Sequence, residues 1–526
     1  MADHIYEKED LIRRFDNILN KTFEEIDNIG MFNHVRTEGF LLQKGIAGSV
    51  IEQCVLSYPP DSKQSADLVV IDDGLRKETE LKVTGMRIRN DGVPHFVAKE
   101  PMSITAVGIF DLADQTFYAS HFWNKLENML IVYYLYLSNT SATPYDYRLF
   151  PIKGYEFHKF NHEDEETLRK DWFYVHDLIK DIVNKHPGPK DSQWKSAVKQ
   201  EYLDRHQSLR RFLSYIDLAP KFPPRFRLKK PIVNTIIAKH FGYMLEQLPG
   251  RYSTISAVDI KCKELECKFR GKTIGEIADF FGVPKTTKEG KENKGIAEHI
   301  LVKMFGGHSK KLNQIELFER FGLIARTVAL TPSGGRTEDM KLYHIDFNEM
   351  LQEIFTEDDG STRPFTFEDS ELYSYFADHE LLCIIYEEPA KEYVRDSVTG
   401  KRIQVKHPLV LNKFCGFQRL VFSDNFIDNT VRAVWDDTRN KIKNHLLRDV
   451  IKKRKDGSIV LNPCGEVQSA PNFMKAAQND VFIRGSGTDA IHKTECVNGI
   501  RMLPQFIWIK GCAICKELSL QITDDK

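Results

Sequence analysis

The chain has 526 residues, of which 41% are hydrophobic and 28% charged, with a formal net charge of −1. A chain this long exceeds one ordinary core, and this balance excludes a disordered or fibrous protein. The near-neutral charge gives no whole-molecule attraction to nucleic acid, so any surface that grips it has to be local.

The opening segment, MADHIYEKEDLIRR, has acidic residues where a signal peptide needs an apolar run, which predicts an intracellular, cytoplasmic protein. The longest apolar stretch, Met129 to Leu137, falls well short of the about 20 residues of a membrane span, so no membrane association is expected. Nine cysteines are an odd set for a disulfide frame and suit a reducing compartment. Cys512 and Cys515 form a CxxC without a second pair at zinc spacing and read as buried thiols.

Helical periodicity covers residues 8–28, 45–56, 164–185 and 231–248, and strand patterns cover 68–71, 78–88, 104–112 and 129–137. The fold class is α+β, a mixed sheet flanked by helices. The chain also repeats itself. KTFEEIDNIG from Lys21 returns as KTIGEIADFFG from Lys272, and the KGIAG and KGIAE that begin at Lys44 and Lys294 each open a helical pattern. LRKDW ending at Trp172 pairs with VRAVW ending at Trp435, and PRFRLKK from Pro224 pairs more loosely with PQFIWIK from Pro504. Four pairs in one order predict two tandem related domains, residues 1–248 and 249–526, with a seam at the turn-rich LPGRYSTIS.

The segment from Asp67 to Val83 reads as strand, tight turn and strand, with Asp72, Asp73 and Gly74 supplying the turn. The two-residue period puts Glu80 and Lys82 on one face, and Asp67 can lie beside Glu80. Two carboxylates plus the Leu81 carbonyl make a hard oxygen site for Mg²⁺, and a lysine two residues on can hold or deprotonate an attacking water. An isolated Asp…Glu-x-Lys is most often a hairpin with solvated charges. Here, however, it is flanked by a helix carrying Lys44 and Glu52, and by a Ser120-His121 turn leading to Lys125.

That order, continued by an acidic run before LRKDW and by PRFRLKK, resembles the MutH endonuclease family over most of residues 20–245. The resemblance implies a metal-dependent DNA cleavage site of Asp67, Glu80 and Lys82, with Glu52 as the helix glutamate and Lys125 as an additional active-site lysine. The stretch between Asp67 and Glu80 is longer than in MutH itself, which leaves Asp61, Asp72 and Asp73 as competitors for the aspartate. In the second half Ile324 and Arg326 stand for the Glu-x-Lys pair, Val302 for the helix glutamate and about Leu317 for the aspartate, so that half is expected to be catalytically dead.

A duplicated, half-dead MutH fold is similar to the type II restriction endonucleases that cleave at GATC. This implies Mg²⁺-dependent double-strand cleavage of DNA, dimerisation on the duplex, and a cognate DNA methyltransferase as partner in the same system. The alternatives are a MutH-like strand-nicking repair endonuclease and a non-catalytic DNA-binding protein. Candidate backbone contacts are Lys44, Arg225, Arg227, Lys229 and Lys230, which interleave cations with apolar residues. The run from Lys452 to Lys455 reads as a solvated loop. The glycine-rich stretch from Arg484 to Asp489 matches no nucleotide-binding fingerprint and reads as a loop touching the DNA backbone.

Overall fold

The computed structural model describes residues 4–33, 45–58, 66–90, 93–138, 145–210, 212–219, 223–249, 252, 254–309, 311–335, 338–356, 362–395, 400, 402–454, 456–462, 465–487 and 493–524. Lys44, Asp61, Lys455, Asp489 and parts of the expected seam and glycine-rich loop lie outside these residues.

Strand β1 (Ile5–Glu7) leads into helix α1 (Lys8–Asp16), and α2 (Phe23–Ile26) follows behind a capping box in which Thr22 and Glu25 satisfy each other's backbone N–H groups. Helix α3 (Ile46–Val50) continues into a single π-helical stretch, Ile51–Val55. Strands β2 (Leu68–Asp72) and β3 (Leu75–Asn90) form the predicted hairpin. Its turn residues Asp73 and Gly74 have φ of 51° and 76°. Two consecutive positive φ values are what a two-residue type I′ connection requires, and Asp-Gly accepts them at low cost. Strand β4 (Pro94–Ala98) folds back on β3, and β5 (Met102–Ala106) leaves the sheet. The apolar pattern predicted to continue to residue 112 instead breaks after Ala106 into a loop and a short 3-10 turn, Leu112–Asp114.

After the one-turn helix α4 (His121–Asn124), strand β6 (Met129–Leu135) pairs parallel with β3 and antiparallel with β7 (Ile152–His158). Every residue of β6 is buried, the mark of a central strand covered on both faces. The long helix α5 (His162–Lys185) starts at Asn161, whose side chain accepts from the Asp164 N–H, and its first turn carries Glu163, Asp164 and Glu165, the sign of charge that a helix N-terminus favours. It buries Leu168, Trp172, Val175, Ile179 and Ile182, a single stripe at helical spacing. Helix α6 (Ser192–Arg205) follows, and β8 (Ile216–Leu218) and β9 (Arg225–Leu228) complete a small sheet with β5, in which β9 is central.

Helix α7 (Lys230–His240) ends the first half, shorter than the predicted 231–248. The second half runs through α8 (Ile255–Phe269), α9 (Ile274–Phe281), α10 (Ile296–Met304) and α11 (Glu316–Arg320) to β10 (Leu323–Leu330), β11 (Met340–His344), α12 (Phe347–Met350) and α13 (Glu371–Ala377). Strands β12 (Glu380–Glu387) and β13 (Lys413–Leu420) then join β10, while β14 (Val481–Gly485) and β15 (Gln505–Ile509) join β11. Helix α14 (Arg432–Lys443) precedes β14, and α15 (Gly511–Asp524) is the final helix. The architecture is thus α+β with mixed sheets, as expected.

The core crosses the seam. One apolar cluster takes in Phe226, Ile232 and Ile237 from the first half and Val258, Ile300 and Phe318 from the second, while two others belong to one half each. Asn234 of α7 bridges it, accepting from Ala98 N–H at 2.8 Å and donating to Glu319 at 3.1 Å. The reading of Cys512 and Cys515 as buried thiols is corrected: Cys512 is exposed and Cys515 half-buried, because Ala513 and Ile514 take the buried face of that turn of α15. Among the described residues no helix is long and apolar enough to cross a membrane.

Candidate active site at the open end of the hairpin

Pairing of Leu68 with Thr79 brings the neighbouring residues Asp67 and Glu80 to the same level, at the end of the hairpin away from its turn. The Leu81 N–H donates to Asp67 Oδ2 at 3.0 Å, which ties that carboxylate to the strand carrying Glu80 and Lys82. Glu80 is almost wholly buried, its side chain 4% exposed. Its Oε1 receives Lys125 Nζ at 2.7 Å and Lys82 Nζ at 3.1 Å. Lys82 also reaches the Ile104 carbonyl of β5, at 3.4 Å. Burial and the neighbouring Glu80 push the Asp67 carboxyl up to about 6, against the pull of both lysines.

Local structure sets each of these positions. Lys125 follows α4, whose cap Ser120 accepts from the Trp123 N–H at 3.1 Å and donates to the Phe117 carbonyl at 2.6 Å, so the turn carrying the lysine is held from both sides. Glu52 lies in the π-helical stretch, closed by the Leu56 N–H on the Ile51 carbonyl at 3.0 Å. Such bulges add a residue to one turn and re-aim side chains, and they recur at functional sites. The competing aspartates sit elsewhere: Asp72 pairs with Lys8 at 3.1 Å and Lys77 at 2.5 Å, and Asp73 is in the turn.

Glu80 Oε2 is buried and has no hydrogen-bond partner. A buried carboxylate oxygen left open beside a second carboxylate is a hard-donor setting that fits Mg²⁺, which binds through one or two carboxylates and keeps several waters. Among the described residues no set of three or more His, Cys, Asp or Glu side chains converges on one point. Two residues that the sequence did not single out also lie here. His4 Nδ1 is 3.2 Å from the Asp67 carbonyl oxygen, and its ring stacks on Tyr58 with centroids 4.0 Å apart. No local pattern marks either one: His4 arrives through the pairing of β1 with β2, and Tyr58 through the chain reversal after the π-helical stretch.

The basic strand does not project into open space. Arg225 donates to Ser103 Oγ at 2.8 Å, and Arg227 is ion-paired with Asp217. Lys229 is buried, with its Nζ on the Leu213 carbonyl at 2.6 Å. Lys230 is enclosed, and its burial pushes its ammonium below the usual lysine range despite the nearby Glu371 and Asp378 of the second half. Arg87, Arg89, Arg225 and Lys230 of the first half and Glu349, Glu368, Glu371 and Asp378 of the second are among the residues lining a cavity of about 320 Å³. The structure thus places the four candidate DNA-contacting cations against Ser103, Asp217, the Leu213 carbonyl and a cavity lined in part by the second half. Lys452, Lys453 and Arg454 are exposed, as a solvated run should be, and Arg484 pairs with Asp339 at 2.7 Å between the rings of Phe482 and Trp508.

A hairpin that brings a buried Glu-x-Lys, an aspartate and a second lysine together on a mixed sheet defines a metal-assisted phosphodiesterase class of site. Comparison with known proteins agrees. The family model described as DNA mismatch repair enzyme MutH matches residues 56–171, the segment that holds Asp67, Glu80, Lys82 and Lys125. The chain is also 22% identical over 398 residues to the Type II restriction enzyme Sau3AI of Staphylococcus aureus, an alignment covering 73% of each. Both findings support a similarity to MutH-like type II endonucleases.

Proposed function

We propose that the protein is a type II restriction endonuclease that cuts both strands of a short DNA site, GATC by its similarity to Sau3AI, using Mg²⁺ held by Asp67, Glu80 and the Leu81 carbonyl. The observation that carries this reading is the convergence of Lys82, Lys125 and Asp67 on the buried Glu80. Bound there, the ion would polarise the scissile phosphate and stabilise charge on the leaving oxygen. Lys82 and Lys125 are held by Glu80 at one oxygen. When a phosphodiester arrives, they can turn their remaining N–H donors to it and to the attacking water, with Lys82 the group placed to position that water. Glu52, in the adjoining π-helical stretch, completes the acidic side.

The two halves, 1–248 and 249–526, are read as tandem relatives, the second without a cleavage centre. Several parallels support this. Strands β10, β12 and β13 pair parallel then antiparallel, like β3, β6 and β7, with a bulge after Ile385 where β6 has one after Tyr133. Met129 and Leu381 stand at the same distance before these bulges, and their partners are Glu80 and Ile324. Arg326 reaches the Leu342 carbonyl, the third residue of β11, as Lys82 reaches Ile104, the third of β5. Capping boxes begin at Thr22 and Thr273, and Phe117–Trp172 and Phe367–Trp435 ring pairs lie 5.8 and 5.9 Å apart. Ile324 cannot bind a cation, and Val302 and Leu317 are buried apolar residues.

One centre per chain implies a dimer on DNA for double-strand cleavage, in the cytoplasm alongside a methyltransferase that protects the host's sites. Plasmid DNA, methylated and unmethylated, incubated with Mg²⁺ and sequenced at its ends tests the proposal. Discrete double-strand cuts by the wild type, absent for Glu80→Ala and Lys82→Ala, are the expected result. One-strand nicks alone would favour a repair endonuclease, and binding without cutting in any methylation state would leave a DNA-binding protein.

A further inference from the structure

The buried hydroxyl of Tyr58 is not explained by packing. Tyr58 is only 7% exposed, and its Oη has no hydrogen-bond partner. An unpaired buried hydroxyl is destabilising, a cost a purely structural position would avoid by carrying phenylalanine. The backbone goes to some length to put the ring there. Ser57 takes a left-handed φ of 64°, uncommon for a residue with a side chain, and so reverses the chain after the π-helical stretch. The Tyr58 N–H then returns to the Glu52 carbonyl at 3.1 Å, while the Tyr6 hydroxyl holds the Leu56 carbonyl at 2.7 Å and Arg14 holds that of Val55 at 2.9 Å. On its other side the ring stacks on His4 at an interplanar angle of 15°, and His4 contacts the Asp67 carbonyl.

Tyr58 is thus clamped between the segment carrying Glu52 and the strand end carrying Asp67. Its phenol is held well above the usual tyrosine range, first by burial and then by the charges of Glu52, Asp67, Tyr6 and Glu80 in that order. It therefore stays protonated and keeps a proton to donate. Among the described residues, Glu80 Oε2 at this site is likewise buried without a hydrogen-bond partner. Two such groups at one site each call for a small polar species, since buried polar atoms are almost always satisfied.

We propose that Tyr58 is a positioning residue of the active site, its hydroxyl hydrogen-bonding a water in the hydration shell of the divalent cation held by Asp67 and Glu80. The inference rests on the endonuclease reading above. A hydroxyl so placed orients one water of the shell, and Glu52 and His4 determine where that hydroxyl stands.

The test compares wild type, Tyr58→Phe and Glu80→Gln in three measurements: thermal unfolding without metal, Mn²⁺ binding to the DNA-free protein by electron paramagnetic resonance, and single-turnover cleavage as a function of Mg²⁺. Phenylalanine keeps the ring and its stacking on His4, so the fold is retained and the melting temperature stays level or rises. The expected result for Tyr58→Phe is Mn²⁺ binding weakened about three- to tenfold, a higher Mg²⁺ half-saturation and a cleavage rate lowered about ten- to a hundredfold. Unchanged Mn²⁺ binding and Mg²⁺ dependence in a wild-type-active protein would overturn the role of Tyr58 and leave the endonuclease reading standing. A clear fall in melting temperature with unaltered metal affinity would make the hydroxyl structural. A wild type that neither binds Mn²⁺ nor cuts DNA would overturn both.

Discussion

Glu80 is the residue on which the site turns, because one carboxylate oxygen holds two lysines and the other is left open. Glu80→Gln keeps the shape but removes the charge that anchors both ammonium groups. It should abolish detectable cleavage while specific DNA binding, measured by gel shift in Ca²⁺, persists. Lys82→Ala should lower single-turnover cleavage by about 10²–10⁴-fold, the range of a lost proton-transfer or water-positioning group. Lys125→Ala leaves Lys82 on Glu80 and should cost less. Equal losses for the two lysines would show that they act as one unit. The Glu-x-Lys pair and its shared face were legible in the sequence, since a two-residue period is a local property of a strand. The choice of Asp67 over Asp72 needed the hairpin register, because both flank the same short strand and only pairing decides which end meets Glu80.

At the scale of elements, the site depends on how the helix α5 and the small sheet are tied to the strands. Asp171 of α5 is fully buried, and its Oδ2 accepts N–H groups from Ser214, Tyr215 and Ile216 at 2.8, 2.6 and 2.9 Å. Those three donors lead into β8, the neighbour of β9 in the sheet that includes β5 and the Ile104 carbonyl facing Lys82. Asp171→Ala strands three backbone donors and should destabilise the protein by about 3–5 kcal/mol, read as a lower urea midpoint. A midpoint within error of wild type would mean that water replaces the carboxylate and the anchor is dispensable. The sequence marked Asp171 only as part of LRKDW. Its task appears when α5 and the segment before β8, far apart in the chain, are brought together.

At the scale of the molecule, the second half lies against the basic strand and α7 of the first, and both line one cavity rich in charged side chains. Glu349 of α12 lines it, and burial raises its carboxyl to about 8, opposed by the Glu371 N–H that it accepts. The folded protein therefore holds a proton on Glu349 that the unfolded chain releases near its ordinary value of 4.5. Between these values the folded state binds more protons, so this group's contribution to stability falls as pH rises, by at most roughly 1.4 kcal/mol per pH unit. Glu349→Gln cannot ionise and should show a flatter decline in stability from pH 5 to pH 8, followed by urea denaturation. An identical slope in the variant would remove Glu349 as the cause.

The sequence by itself determined what depends on neighbours along the chain: the Asp-Gly hairpin, the face shared by Glu80 and Lys82, the fully apolar β6, the Ser120 turn before Lys125, and the recurrence of capping and helix motifs at a half-chain interval. Only the tertiary structure decided what depends on distant segments meeting. Pairing of β1 with β2 carried His4 to Asp67, and the π-helical stretch with Ser57 swung Tyr58 into the site. Asp217 and the Leu213 carbonyl, from the segment before β9, engage Arg227 and Lys229, and Glu371 and Asp378 of the second half stand near Lys230. The physical reason is the same in each case: periodicity tells which face a side chain takes, and only the fold tells what lies opposite that face.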